Sequence, residues 1–194
     1  MSNLFLVSYG VLWLLVVSLF LLMFLVFRQF GLVYLKTAAG VSRSGVDLGT
    51  TIPDLEVKSV TGDNLKLSDY SGQPLLIVFT SPHCAPCRNL VSHLDDFIDK
   101  YPGISTLVFS IDGSEEETRS MFPRPRYSII PLPDREIFKT VFEGEVTPFA
   151  FVIDDKRKVV AKGLVNSLRD LEHVVASSGK SSSFIQITST AVES

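Results

Sequence analysis

Pro74-Leu75-Leu76-Ile77-Val78-Phe79-Thr80-Ser81-Pro82-His83-Cys84-Ala85-Pro86-Cys87 joins an unbroken apolar run to two cysteines three positions apart. Such a run, without polar alternation, is expected of a strand buried on both faces of a sheet. Beyond it Leu90, Val91, Leu94, Phe97 and Ile98 follow helical spacing, and Tyr101-Pro102-Gly103 stops the helix. The cysteines therefore sit where a buried strand turns into an amphipathic helix, Cys84 at its first turn and Cys87 one turn inside.

Outward from that junction the pattern alternates. Residues 104–111 read as a second buried strand, and Ser114 opens a helix with Glu115, Glu116 and Glu117 in its first turn. Tyr127-Ser128-Ile129-Ile130 and an amphipathic piece over residues 137–142 come next. Residues 149–153 and 159–165 are β-rich runs around the turn Asp154-Asp155-Lys156-Arg157. A last helix starts near Ser167 and carries Leu168, Leu171, Val174 and Val175 on one face. Upstream, Ile52-Pro53-Asp54-Leu55-Glu56-Val57, the turn Thr61-Gly62-Asp63-Asn64 and Leu65-Lys66-Leu67 form a short hairpin pattern. Alternation closed by a hairpin and a helix predicts a three-layer α/β/α domain with a mixed β-sheet over residues 51–178. The Ser- and Thr-rich tail, residues 179–194, is assigned no structure.

Residues 4–27 carry no charge and are filled mainly by Leu, Val and Phe. A helix of that length spans roughly 36 Å, enough for a hydrocarbon core of about 30 Å. A cleaved signal would want a basic start and a small-residue cleavage site; Met1-Ser2-Asn3 has no Lys or Arg, and Arg28-Gln29-Phe30 follows the span directly. One transmembrane helix over residues 4–27 is expected, followed by a glycine-containing juxtamembrane linker over residues 28–50. Arg28, Lys36 and Arg43 on the carboxyl side of the span would, by the positive-inside rule, hold the following domain in the cytoplasm.

The net charge of −3 leaves no broad basic surface, so nucleic acid is not an expected partner. Only two cysteines occur, which excludes a dispersed disulfide framework and assigns both to one site. A free thiol has a pKa of about 8.5, and a helix N-terminus lowers it to about 7 or below. Cys84 is thus the expected nucleophile and Cys87 the resolving thiol, with His83 and Pro86 as modulators. No metal is expected: zinc would need two further ligands, His83 is too near in sequence to chelate, His93 reads as an ordinary helix residue and His173 as a solvated one. A peroxidase would also place a reactive Cys at a helix start with Ser or Thr three residues earlier, where Ser81 stands. The proline such enzymes carry seven residues before that Cys is Ile77 here, and Cys87 would capture a sulfenate. A non-catalytic, client-binding assembly factor is the remaining alternative.

A buried strand, Cys84-Ala85-Pro86-Cys87 at a helix start and Val146-Thr147-Pro148 before a strand resemble the thioredoxin-like superfamily. The resemblance implies that Pro148 is a cis-proline facing the cysteines and that the Thr147 backbone pairs with an extended substrate. It implies no cofactor beyond a redox-active disulfide between Cys84 and Cys87. Within the superfamily, the apolar span followed by Arg28-Gln29-Phe30-Gly31-Leu32, the Ser81-Pro82-His83-Cys84 segment and Ala161-Lys162-Gly163-Leu164-Val165-Asn166-Ser167 are similar to the MauD family of methylamine utilization, membrane-anchored factors for maturation of methylamine dehydrogenase. That similarity implies an extracytoplasmic, periplasmic domain, a disulfide-bearing protein client such as the dehydrogenase small subunit, and a separate redox partner. Two positions depart from the patterns: MauD proteins place Pro directly after the first Cys, where Ala85 stands, and thioredoxins place an acid where Val78 stands.

Overall fold

The computed structural model describes residues 3–179, in two units. The first is a single helix, α1 (Asn3–Arg43). Its segment Phe5–Phe27 has a mean hydropathy of 2.9 and is long and apolar enough to cross a membrane. Leu14 and Phe20 are each 73% exposed. A helix that is apolar all round is suited to lipid rather than to water.

The second unit begins at Ser44. Its elements are β1 (Glu56–Lys58), β2 (Asn64–Lys66), a 3-10 turn (Leu67–Tyr70), β3 (Leu75–Thr80), α2 (Ala85–Lys100), β4 (Ser105–Ile111), α3 (Glu115–Met121), β5 (Ser128–Leu132), α4 (Glu136–Thr140), β6 (Phe149–Ile153), β7 (Val159–Leu164) and α5 (Leu168–Ser178). β1 and β2 pair as an antiparallel hairpin, and the main sheet has the order β5-β4-β3-β6-β7. β3, β4 and β5 are parallel, whereas β6 is antiparallel to both β3 and β7. This is the three-layer, mixed-sheet α/β architecture that the pattern predicts.

Alternation along the strands supplies two cores. Leu76 and Val78 pack with Leu90, Leu94 and Phe97 of α2 and with Leu171, Val174 and Val175 of α5. Leu75, Ile77 and Phe79 face the other way, toward Val57, Leu67, Phe138 and Phe142. The second core is built of aromatics: Phe79 lies 4.4 Å from Phe138, 4.8 Å from Phe142 and 5.0 Å from Phe109, centroid to centroid. Gly144 closes this layer, because a Cβ there would enter the Phe138 ring.

The boundaries before the domain differ from those expected. α1 continues past Phe27 through Gly31 and Gly40 of the expected linker and ends at Arg43. A glycine inside a helix costs about 1 kcal/mol relative to alanine, and good helix formers surround these. Residues 44–50 belong to the folded unit: Ser44 is 3% and Val46 4% exposed, and the Gly49 amide and Thr50 carbonyl pair with Val159. Residues 180–194 of the expected tail lie outside the described residues.

Phe79 is fully buried at the centre of the aromatic layer. Phe79→Ala should lower the domain's unfolding free energy by about 3–5 kcal/mol, measured by urea denaturation of the full-length protein in detergent. Leu48→Ala, at a position 62% exposed, should change it little; equal effects would show that the layer is not the core.

Candidate active site

The topology gathers five connections at one edge of the sheet. The parallel strands β3, β4 and β5 end there, β7 ends there, and the antiparallel β6 begins there. The register Phe79 opposite Phe149 fixes the relation, setting the chain leaving β3 beside the chain entering β6. Residues 81–87 and 146–148 are therefore neighbours although some sixty positions separate them. Ligand sites of open α/β sheets lie outside the carboxyl ends of the strands for the same reason.

Cys84 is the N-cap of α2, with an extended backbone (φ −97°, ψ 113°). Its Sγ lies 3.3 Å from the Cys87 amide nitrogen, taking the place that a Ser or Asp oxygen has in other caps. Pro86 occupies the first turn, where a missing N–H leaves no helical bond unmade. Cys84 and Cys87 form a disulfide with their Cα atoms 5.2 Å apart, inside the ordinary span for such a bond. Cys84 is half-buried, whereas Cys87 is completely inaccessible. Attack from outside can reach Cys84 alone.

The preceding turn is tightly held. The Cys84 amide donates to the Ser81 carbonyl at 3.1 Å, the His83 amide to Ser81 Oγ at 3.3 Å, and Arg88 Nη1 to the Pro82 carbonyl at 2.8 Å. Gly113 presses on Pro82 so closely that a Cβ would sit 2.6 Å from the ring. His83 is exposed, its Nε2 3.9 Å from Glu117 Oε1. The Ser114 amide and then its hydroxyl hold the Glu117 carboxyl below the ordinary carboxylate range, as expected of an acid in a capping box. Pro86 is exposed beside the disulfide.

Across the cleft, the Thr147-Pro148 peptide bond is cis, Pro148 is buried, and the Thr147 carbonyl oxygen lies 3.6 Å from Cys84 Sγ. The Val165 amide donates to the Pro148 carbonyl at 3.3 Å and steadies the turn from the β7 side. The structure thus brings Cys84, Cys87, Thr147 and Pro148 into one site, with His83 and Pro86 on its rim. Glu143 and Glu145, the acids nearest the Thr147-Pro148 turn in sequence, are both exposed. Among the described residues no cluster of three or more His, Cys, Asp or Glu side chains could hold a metal ion.

Sequence reasoning missed Ser44, Asp112, Arg135 and Lys162. Ser44 Oγ accepts from the Glu145 amide at 3.1 Å, and Arg135 Nη1 donates to the Glu145 carbonyl at 3.4 Å while its Nε pairs with Asp112. Each is an isolated polar residue in a loop or strand. The nearest signal was Lys162, inside the Ala161-Lys162-Gly163 string.

A model of the AhpC/TSA family matches residues 48–162. The methylamine utilization protein MauD of Paracoccus versutus is 25% identical over 167 residues, 84% of each chain. MauD of Methylophilus methylotrophus is 27% identical over 179 residues, 88% of this chain and 82% of that one. Among solved structures, the thioredoxin domain of a thiol-disulfide oxidoreductase from Bacteroides vulgatus superposes with a TM-score of 0.57 at 21% identity, covering 66% of this chain and 97% of its own. That likeness identifies the fold as thioredoxin-like.

After reduction, the difference in exposure predicts that iodoacetamide modifies Cys84 at least about tenfold faster than Cys87. Peptide mapping by mass spectrometry reads the order, and equal labelling would contradict it.

Proposed function

The chain belongs to the AhpC/TSA family, and from that premise we propose that it is a thiol:disulfide oxidoreductase, held in a membrane by α1, that forms or rearranges disulfides in an extracytoplasmic protein client. The observation that carries the reading is a Cys84 to Cys87 disulfide with one sulfur accessible and one sealed, set against the Thr147 carbonyl. The similarity to MauD proteins supports a client such as the methylamine dehydrogenase small subunit.

In the oxidising direction a client thiolate attacks Cys84 Sγ. The bond to Cys87 breaks, its electron pair leaves on Cys87 Sγ, and that thiolate takes up a proton. A second client thiolate then attacks the client sulfur of the mixed disulfide and expels Cys84 as a thiolate. The client has lost two electrons to the Cys84 and Cys87 pair, its thiol protons exchanging through solvent, and a separate disulfide oxidant regenerates the pair. Reduction of a client is the same sequence reversed. The Cys87 N–H and the start of the sixteen-residue α2 stabilise the leaving Cys84 thiolate. This chemistry calls on no metal, flavin or nucleotide.

Thiol peroxidase activity is the competing reading, favoured by Ser81 three residues before Cys84. The Ser81 hydroxyl oxygen is already engaged by the His83 amide, and Cys87 stands ready to capture a sulfenate. Cys87→Ser should accumulate a disulfide-linked complex between Cys84 and its client, visible on non-reducing gels, whereas Cys84→Ser should not. Complexes through Cys87, or peroxide consumption in place of client exchange, would contradict the proposal.

Orientation is tested separately, because Arg28, Lys36 and Arg43 favour the opposite placement by charge. A cytosolic thiol pool keeps most client disulfides reduced, so the proposed activity calls for an extracytoplasmic domain. Alkaline phosphatase fused after residue 179 should be active. An inactive fusion beside an active cytoplasmic reporter would refute the orientation.

A further inference from the structure

We propose that residues 44–46 form a positioning strap for the exchange site, locked in place by Lys162, which sets where the Thr147 edge stands against the Cys84 sulfur. This inference rests on the exchange chemistry proposed above. An incoming client must bring its sulfur in line with the bond between Cys84 and Cys87, so the edge that aligns the client must be fixed relative to Cys84. β6 fixes that edge from Phe149 onward and the Val165 amide holds the Pro148 carbonyl, which leaves the chain before Thr147 to be placed by other contacts.

Residues 142–145, which lead into the edge, are held from two sides: the Phe142 and Gly144 amides donate to the Ile137 and Phe138 carbonyls of α4, at 3.4 and 2.8 Å, and the strap supplies three further partners. The Val46 amide donates to the Phe142 carbonyl at 2.8 Å, and the Gly45 amide to the Glu143 carbonyl at 2.9 Å. Ser44 Oγ accepts from the Glu145 amide at 3.1 Å, while Arg135, paired with Asp112, donates to the Glu145 carbonyl. Glu143 has φ +49°, a conformation an L-residue keeps only where its surroundings impose it. The strap is itself seated. Gly45 has φ +83°, and a Cβ there would lie 2.7 Å from the Phe151 ring. From β7, Lys162 Nζ donates to the Gly45 carbonyl at 2.6 Å. The lysine of the Ala161-Lys162-Gly163 string thus acts on the site through the strap.

The test uses full-length protein in detergent, oxidised, with a reduced two-cysteine peptide as probe in single-turnover stopped flow. Ser44→Ala and Lys162→Met should each raise the half-saturating peptide concentration by about tenfold, the order of one lost hydrogen bond to a positioned group, with the limiting rate changed less than about twofold. Thermal unfolding of each variant is followed in parallel, and Ser44→Ala, which removes one hydroxyl, guards against a result decided by misfolding of the lysine variant. Half-saturation unmoved in both variants, or limiting rates falling in step with unfolding midpoints, would overturn the strap while leaving the oxidoreductase reading in place. A native protein inert toward both the peptide and dithiothreitol would overturn the two together.

Discussion

The antiparallel pairing of β6 with β3 is the constraint on which the rest of the site depends. Because β6 runs against β3 in the register Phe79 opposite Phe149, the turn that carries the dithiol and the turn that carries Thr147 and Pro148 emerge at the same edge. That register brings Cys84 and Thr147 to the same end of the sheet, where Cys84 Sγ lies 3.6 Å from the Thr147 carbonyl. Were the register moved by one residue, the aromatic side chains of β6 would trade faces relative to those of β3 and the Phe layer would be lost. Core and site are therefore specified by the same ladder.

The two cores give the arrangement its rigidity. α2 is pinned through Leu90, Leu94 and Phe97, so its N-terminus, and Cys84 with it, cannot drift without opening the first core. Beneath β6, Phe149 and Phe151 are pinned by the aromatic layer, which also carries Gly45 on the Phe151 ring. Close packing of this kind resists small displacements. What remains adjustable is the surface of the site, where His83, Ala85 and Pro86 are exposed around the half-buried Cys84.

Much of this was legible in the sequence, for local reasons. The apolar run through Phe79 is the doubly buried strand its pattern predicts, Ser114 opens α3 with three acids in its first turn, and the helical spacing after Cys87 was that of α2. The Cys pair carried its chemistry in its residue types and spacing, whereas Thr147-Pro148 was marked by the superfamily resemblance alone. The strap did not: Ser44 meets Glu145 across 101 positions, and no periodicity marks a single hydroxyl or a single lysine. The extent of α1 beyond Phe27 was hidden as well, since the pattern that ends there is hydrophobicity and a helix can continue without it. The MauD-like string Ala161-Lys162-Gly163-Leu164-Val165-Asn166-Ser167 acquires a physical meaning only in three dimensions. Lys162 holds the strap, Gly163 leaves room for Val174, Val165 supports Pro148, and Ser167 caps α5.

The central claim is that the Cys84 to Cys87 pair exchanges two electrons with protein thiols. The most direct measurement mixes the oxidised full-length protein with a reduced, unfolded cysteine-containing polypeptide and follows both by intact mass after acid quenching and alkylation. The account predicts one new client disulfide for each Cys84 to Cys87 disulfide lost, with a transient adduct at Cys84. A pair that stays oxidised while the client remains reduced, or client oxidation that proceeds equally after both cysteines are replaced, would contradict it.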